Sequence, residues 1–252
     1  MQKLGVLLLV FACNRKCPEQ VAPAPAQHAV KQEEKPVVAA AKPIIATEAE
    51  TRDAFEKIYR DADWGTNTGG VGNSGTGSTV EATELYRAYL QSFMKEHQIK
   101  SVVDAGCGDW EFSQKIDWKG IDYKGYDIVA KLIDANKKRF GRPNVQFFVG
   151  NMIEDELPAA DLLVSKHVLQ HLPNSDVKVF LDKQLKKYKH VLLTNGVNKV
   201  YLSATNTDIK PGEYRELDIT RPPFDVPAAK DLTYWANDFM HQVVHVDNTQ
   251  GR

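Results

Sequence analysis

The sequence has few cysteines, and they are too scattered to form a disulfide framework. Cys13, Cys17 and Cys107 are the only three in 252 residues, and no spacing of cysteine and histidine resembles a zinc site. Cys107 has no partner base near it in the sequence, so it is interpreted as a small loop residue rather than a catalytic thiol. The chain is therefore expected to fold around a hydrophobic core, without a metal site.

An excess of charge of either sign is also missing. The 32 Lys and Arg residues nearly balance the 33 Asp and Glu residues, and the formal net charge is −1. A balanced chain has no general attraction for nucleic acid or for an anionic membrane surface. No nucleic-acid partner is therefore predicted, and a polyanionic substrate is unsupported.

The apolar run near the start of the chain is far too short to span a bilayer. It covers residues 4–12, follows the basic start Met1-Gln2-Lys3 and ends directly before Cys13. This order is typical of a secretory signal, and a cysteine after a small residue resembles a bacterial lipoprotein cleavage site. Residues 1–13 are therefore predicted to be a signal or lipoprotein-like segment, with an exported protein or a membrane anchor on a lipidated Cys13. The alternative is a misassigned start and a cytoplasmic protein.

Residues 14–50 have few aromatic residues and little periodicity, and they are rich in Ala, Pro, Gln, Glu and Lys. Such a segment buries too little apolar surface to offset its conformational entropy. We predict that it is a disordered tether and that the folded domain spans residues 51–252.

Two predicted helices flank a glycine-rich stretch. Residues 51–60 predict a short helix, and glycine is dense between residues 65 and 77. Residues 78–81, STVE, fit a capping box that opens a second helix running to about residue 97. The glycine-rich stretch is either a flexible linker or a lid that covers a ligand. The apolar face of the first helix consists of Phe55, Ile58 and Tyr59.

From residue 100 onwards, strand patterns alternate with helix patterns. Apolar runs predict strands at residues 101–105, 123–129, 144–150, 160–166 and 190–195. Helices are predicted at residues 110–116, at residues 130–140 with Gly141 as the C-cap, and after a cap at Asn174 or Ser175. The alternation predicts βαβ units and a mostly parallel α/β sheet covered on both faces.

The stretch VVDAGCGDW at residues 102–110 follows the first of these strands. Gly106 and Gly108 allow a tight turn and a close approach of the backbone to a ligand. A dinucleotide site requires a third glycine in this loop, but that position is Glu111, and Asp109 precedes it. At the start of the predicted helix these acids suit the helix dipole and would repel a pyrophosphate. The loop therefore favours a ligand without phosphate, and a nicotinamide-dependent oxidoreductase is disfavoured.

This stretch resembles the first motif of the class I S-adenosylmethionine-dependent methyltransferases, which is an acid at a strand end followed by a glycine-rich turn. The ligand of that family is a sulfonium nucleoside without phosphate. The resemblance implies a Rossmann-like, mostly parallel sheet of seven strands, with residues 242–247 in an antiparallel last strand. It also implies that Asp104 lies near the methionine amino end, and that Gly106, Cys107 and Gly108 border the cofactor by their backbone.

The ends of the later strands extend the resemblance. Asp127, with Ile128 beside it, ends the second strand, where the family has an acid on the ribose hydroxyls; a carboxylate can accept both hydrogen bonds of a vicinal diol. Asn151 and Met152 end the third strand, where the family usually has an acid for the adenine amine. The amide oxygen of Asn151 can accept instead, and Met152 packs on the adenine or in the core. Lys166, at the end of the fourth strand, completes the predicted cofactor residues.

His167 is the candidate catalytic base, because histidine titrates near neutral pH. A base is required only where the methyl acceptor carries a proton that must leave. Similar sequences often carry an acid at this position, so an acid-based mechanism is not implied. His171 is expected to be structural, and Arg215, with Asp218 and Phe224, is the candidate on the substrate side.

Two functions remain open at this point. The first is a methyltransferase that uses S-adenosylmethionine and acts on a small molecule or an exposed group. The second is a methyltransferase-like binding domain, anchored at a membrane, that keeps the fold without turnover.

Overall fold

A computed structural model describes residues 44–65 and 73–249. The predicted signal segment, its Cys13 and most of the predicted tether lie outside the described residues. The first helix, α1 at Glu48–Asp61, begins with a capping box in which the Thr47 hydroxyl accepts from the Glu50 amide and the Glu50 carboxylate accepts from the Thr47 amide. The folded domain therefore starts before residue 51, where the sequence placed its boundary.

Seven strands form one sheet in the described part of the chain. They are β1 (Ser101–Ala105), β2 (Asp122–Asp127), β3 (Val145–Val149), β4 (Leu162–Lys166), β5 (His190–Val197), β6 (Ala229–Ala236) and β7 (Phe239–Asp247). Their order is β3-β2-β1-β4-β5-β7-β6. Strands β1 to β5 pair in parallel, and β7 pairs antiparallel with both β5 and β6. This confirms the predicted Rossmann-like architecture with its antiparallel last strand.

The order of the strands reverses between β1 and β4, because the chain runs from β1 out to β3 before it returns to β4. Ligands of open α/β sheets bind at such a switch point, outside the carboxyl ends of the strands. The topology therefore places the ends of β1, β2, β3 and β4 around one crevice.

The remaining helices are α2 (Glu84–Glu96), α3 (Ala130–Phe140) and α4 (Asn174–Gln184). Two apolar clusters of buried residues accompany the sheet, one centred on residues such as Phe180 and Leu193 and the other on Tyr86 and Tyr123. Burial on both faces is what a mostly parallel sheet requires. None of the helices in the described ranges is long and apolar enough to cross a membrane.

Helix α2 begins at Glu84, so the predicted capping box at residues 78–81 is wrong. The Thr79 hydroxyl accepts from the Ala82 amide at 3.1 Å, and the Thr83 hydroxyl donates to the Thr79 carbonyl at 2.7 Å. Threonine hydroxyls that bind nearby backbone compete with helix formation. They form a turn ahead of the helix instead.

No α-helix occupies residues 110–116, all of which the structure describes, and only a 3₁₀ turn at Ser113–Lys115 is present. Trp110 is buried and has a left-handed backbone, with φ of 59°. A right-handed helix does not accommodate that conformation. The predicted helix is therefore wrong, and the acids of this loop do not sit at a helix N-terminus.

Helix α4 starts at Asn174, but neither Asn174 nor Ser175 caps it with its side chain. The carboxylate of Asp208, distant in sequence, accepts from the Asn174 amide at 2.8 Å. Gly141 closes α3 as predicted, and its amide donates to the Lys137 carbonyl.

Candidate functional site

A cavity that is partly open to solvent lies at the carboxyl ends of β1 to β4, and its empty space, open solvent included, is about 870 Å³. His167 lines it, and Arg215 does not. All of the predicted cofactor residues line it, namely Asp104, Gly106, Cys107, Gly108, Asp127, Ile128, Asn151, Met152 and Lys166.

Asp127 is fixed at the end of β2 by two backbone amides. Its carboxylate accepts from the Gly108 amide and from the Val129 amide, each at 3.0 Å. Burial raises the pKa of Asp127 to about 6. Each carboxylate oxygen has two lone pairs, so the group can accept further hydrogen bonds from a vicinal diol.

Asp104, at the end of β1, is held from the core. The Tyr123 hydroxyl donates to its carboxylate at 2.7 Å. Burial raises the pKa of Asp104 to about 7, while the Tyr123 hydrogen bond and Lys166 oppose that shift. A positively charged ligand group beside Asp104 would favour its ionised form.

The two glycines of the β1 loop have positive φ, 84° at Gly106 and 53° at Gly108. A Cβ on Gly106 would lie 2.3 Å from Val168, and one on Gly108 would lie 2.6 Å from the Ser74 hydroxyl. The close approach that requires glycine is therefore to the protein's own side chains, where the sequence suggested the ligand.

Asp109 binds the described end of the glycine-rich stretch. Its carboxylate accepts from the Asn73 amide at 2.7 Å and from the Ser74 amide at 3.0 Å. The Ser74 hydroxyl accepts from the Asp109 amide at 3.1 Å and contacts the Tyr59 hydroxyl at 2.8 Å. Residues 73 and 74 are therefore tied to the cofactor loop, which favours a ligand-covering segment over a free linker.

Lys166 is the one lysine or arginine among the described residues that line the cavity. Its Nζ donates to the Gly77 carbonyl at 2.7 Å, lies 3.1 Å from His167 Nδ1 and sits 5.2 Å from the centre of the Phe112 ring. Burial lowers the pKa of Lys166 to about 7, and the charge of Asp104 opposes that shift. Lys166 therefore connects the glycine-rich stretch to the end of β4.

His167 directly follows β4 with a left-handed backbone, φ 58°. Its Nε2 is buried and has no hydrogen-bond partner within residues 44–65 and 73–249, and its ring lies 4.6 Å from that of His241. Burial and the neighbouring Lys166 lower the pKa of His167 well below its usual range. The imidazole is therefore neutral at physiological pH.

His171 and Arg215 hold the chain that follows β4. His171 Nδ1 lies 3.0 Å from the Glu213 carbonyl, and burial lowers the pKa of His171 to about 4. The guanidinium of Arg215 donates to the Leu169 carbonyl at 3.0 Å and to the Asn174 side chain at 2.9 Å. Arg215 thus clamps the β4–α4 connection away from the cavity lining, contrary to its expected place on the substrate side.

Asp218 and Phe224, the other expected substrate residues, are also part of the scaffold. The buried carboxylate of Asp218 pairs with Lys230 at 2.7 Å and accepts from the Thr220 amide at 3.0 Å. Phe224 packs against the core.

Asn151 uses its amide oxygen in a local turn, where it accepts from the Ile153 amide at 3.0 Å. The sequence had assigned that oxygen to the adenine amine. Met152 and Ile153 are buried and line the cavity. Recognition of adenine by Asn151 stays a prediction.

Helix α1 and the turn after it form a wall of the cavity that the sequence did not indicate. Thr51, Phe55, Tyr59 and Trp64 line it. The apolar face of α1 was visible in the sequence, but nothing local showed where that face would dock. Among residues 44–65 and 73–249, no group of three or more His, Cys, Asp or Glu side chains is arranged to hold a metal ion.

Residues 103–198 match the sequence profile of a family described as a methyltransferase domain. This range contains the last three residues of β1, the cofactor loop and all of β2 to β5. No curated protein matches the chain in sequence.

Several solved structures share the fold at low sequence identity. Magnesium protoporphyrin IX methyltransferase (ChlM) from Synechocystis PCC 6803 with bound SAH has a TM-score of 0.55 and 13% identity, over 79% of this chain and 98% of that one. The N-methyltransferase NodS from Bradyrhizobium japonicum WM9 in complex with SAH has a TM-score of 0.57 and 11% identity, over 78% and 98%. ChlM was also solved with bound SAM, and that structure gives a TM-score of 0.52 and 15% identity, over 81% and 98%. At these identities the likeness shows the fold alone.

Proposed function

We propose that this chain, a class I S-adenosylmethionine-dependent methyltransferase, transfers the methyl group of its cofactor to a small-molecule acceptor that binds beside His167. The observation that carries the proposal is the cavity at the switch point, with the carboxylates of Asp104 and Asp127 at the ends of two paired strands.

The described residues fit S-adenosylmethionine in their chemistry. Asp127 has acceptor capacity for the ribose hydroxyls, and Asp104 suits the ammonium group of the methionine part. The ammonium of Lys166 suits its carboxylate, and Ile128 and Met152 offer apolar surface to the adenine. When bound, this cofactor supplies an electrophilic methyl group on a sulfonium.

The chain contributes positioning and exclusion of water. Methyl displacement requires the nucleophile, the methyl carbon and the sulfur in line, so holding that geometry lowers the barrier. Tyr59, Trp64 and Ser74 line the cavity from one side, and Val168 and Leu172 line it after β4. A small acceptor enters such a covered site more readily than a folded macromolecule does.

Titration calorimetry on the full chain tests the cofactor. We expect S-adenosylmethionine and S-adenosylhomocysteine to bind, and NAD not to bind. Asp127→Asn removes a charged acceptor and is expected to weaken binding by about 10-fold or more. Asp122→Asn is the matched control, because Asp122 begins the same strand at the opposite edge of the sheet and is exposed.

Transfer of labelled methyl groups into small-molecule and protein fractions of a lysate tests the acceptor. Label in the small-molecule fraction supports the proposal, and label in protein alone contradicts the acceptor class. Binding of the cofactor without any transfer would instead favour a binding domain without turnover.

The cellular location rests on the sequence alone. We propose that Cys13 anchors the chain through a lipid; Cys13→Ser is expected to release it from membranes, and unchanged partitioning contradicts the proposal.

A further inference from the structure

Several exposed apolar side chains lie beyond the carboxyl end of β5. They lie in the segment after β5 and on the β6–β7 hairpin, and their exposure ranges from 42% to 78%. The residues are Val200, Tyr201, Leu202, Tyr214 and Phe239. Large apolar patches on soluble proteins usually mark a binding surface.

A path of aromatic rings joins this surface to the cavity. Trp64, which lines the cavity, lies 4.6 Å from the His171 ring. The His171 ring lies 5.8 Å from Tyr214, and Tyr214 lies 6.2 Å from Phe239. These ring contacts link the exposed side chains to the wall of the cofactor site.

The β6–β7 hairpin directs Phe239 and His241 to one face. Its turn, residues 237–238, has positive φ at both positions, as the tight I′ hairpin turn requires. Side chains alternate along a strand, so Phe239 and His241 share a face. Trp235 pairs with Met240 and belongs to the other face.

His167 and His241 together offer one hydrogen-bond donor and one acceptor. The charged form of Lys166 can only donate, so His167 Nδ1 accepts from it and the His167 proton lies on Nε2. His241 Nε2 donates to the Ala236 carbonyl at 3.2 Å, so its Nδ1 carries a lone pair. Both His167 Nε2 and His241 Nδ1 are buried without a partner among the described residues.

A hydroxyl group complements this pair, because it accepts one hydrogen bond and donates another. An ammonium would find no acid among these groups, and a carboxylate would find one donor too few. We propose that the acceptor is a small phenol-like compound, an inference that rests on the proposed methyltransferase function. Its ring packs against Tyr214 and Phe239, and its hydroxyl lies between His167 and His241.

In the step that follows, the hydroxyl oxygen forms a bond to the methyl carbon while the bond from that carbon to sulfur breaks. Sulfur keeps the bonding electron pair and becomes a neutral thioether. The hydroxyl proton moves to His241 Nδ1, and the product is a neutral methyl ether. His241 then returns the proton to solvent, so charge and atoms balance.

A matched set of acceptors tests the class. The full chain is incubated with labelled S-adenosylmethionine and 2-naphthol, 2-naphthylamine, 2-naphthoate or the saturated decahydro-2-naphthol. We expect kcat/KM for 2-naphthol to exceed that of each other compound by about 10-fold or more. Equal or faster methylation of any of the other three overturns the proposal, and so does failure to methylate 2-naphthol.

Two pairs of variants locate the acceptor. Phe239→Ala is expected to raise KM for 2-naphthol about 10-fold through loss of ring contact, with an unchanged Kd for S-adenosylmethionine. Trp235→Ala, similarly exposed on the opposite face, is the control and should leave KM unchanged. His241→Gln is expected to lower kcat about 100-fold, with His245→Gln on the same strand as control.

Thermal unfolding confirms that each variant is folded, and His241→Asn replaces His241→Gln if the latter is not. An unaltered kcat in the folded His241 variant, or equal effects of Phe239→Ala and Trp235→Ala on KM, overturns the assignment. Calorimetry of cofactor binding distinguishes failure of the proposed methyltransferase function from failure of the phenol assignment. Loss of binding by the wild type defeats the proposed function, whereas intact binding with other acceptors methylated defeats only the phenol class.

Discussion

Three carboxyl groups that line the cavity have their pKa values raised by burial. Burial raises the pKa of Asp104 to about 7, of Asp127 to about 6 and of Glu111 to about 7. The free site therefore holds partly protonated carboxyls near neutral pH. A ligand that carries an ammonium and a sulfonium favours their ionised forms.

Binding of S-adenosylmethionine is therefore expected to release protons from these carboxyls between about pH 6 and 7, whereas its carboxylate favours the charged form of Lys166 and takes up protons there. The sulfonium charge should make the net release greater for S-adenosylmethionine than for S-adenosylhomocysteine. Calorimetry in buffers of different ionisation enthalpy measures the protons released. S-adenosylhomocysteine lacks the sulfonium charge and should release fewer. Equal net release by both ligands, or greater release by S-adenosylhomocysteine, would contradict this account.

Burial of Lys166 makes its charged form costly and lowers its pKa to about 7. Lys166→Met removes that cost along with the hydrogen bond to Gly77. We expect a thermal midpoint equal to or above that of the wild type, together with about 10-fold weaker cofactor binding. A lower midpoint with unchanged binding would indicate a purely structural lysine. Lys189→Met, at the exposed opposite end of the sheet, is the control.

Among helices and strands, the sequence predicted an element correctly where a single helical or strand periodicity of apolar residues runs through it. Helix α3 spans Ala130–Phe140, and the five parallel strands lie where their apolar runs predicted them. The failures have a tertiary or side-chain cause. Burial of Trp110 imposes a left-handed backbone after the glycine loop, and the hydroxyls of Thr79 and Thr83 form a turn at the expected start of α2.

The segment at residues 73–78 is expected to depend on Asp109 for its position over the cavity. Asp109→Ala removes the acceptor of the Asn73 and Ser74 amides. Hydrogen exchange, followed by mass spectrometry, should become faster at these amides, and cofactor affinity should fall. Asp117→Ala, which removes an exposed carboxylate further along the same loop, should change neither. Unchanged exchange in Asp109→Ala would show that other contacts hold the segment.

At the scale of the whole molecule, buried histidines and carboxyls act in opposite directions on acid stability. Burial lowers the pKa of His171 to about 4, from 6.5. As pH falls below 6.5, the unfolded chain protonates this histidine before the folded chain does, so stability is lost until about pH 4. The raised pKa values of Asp104, Asp127 and Glu111 have the opposite effect, because the folded state then binds protons first.

A single substitution isolates the histidine contribution. As pH falls from 6.5 to about 4, the unfolding free energy of the wild type should decrease relative to that of His171→Gln, measured by urea denaturation at each pH. His97→Gln, in which the same change is made at the end of α2, serves for comparison. A constant difference between wild type and His171→Gln would contradict a buried, neutral His171.

The sequence by itself determined the fold class and the cofactor edge. Strand and helix periods are local properties, and Asp104, Gly106, Gly108 and Asp127 stand at strand ends that a parallel sheet must bring to one edge. Only the tertiary structure decided what surrounds that edge. The docking of α1 on the cavity and the meeting of His167 with His241 join residues far apart in the chain. Such contacts depend on how the whole sheet packs, which no local pattern encodes.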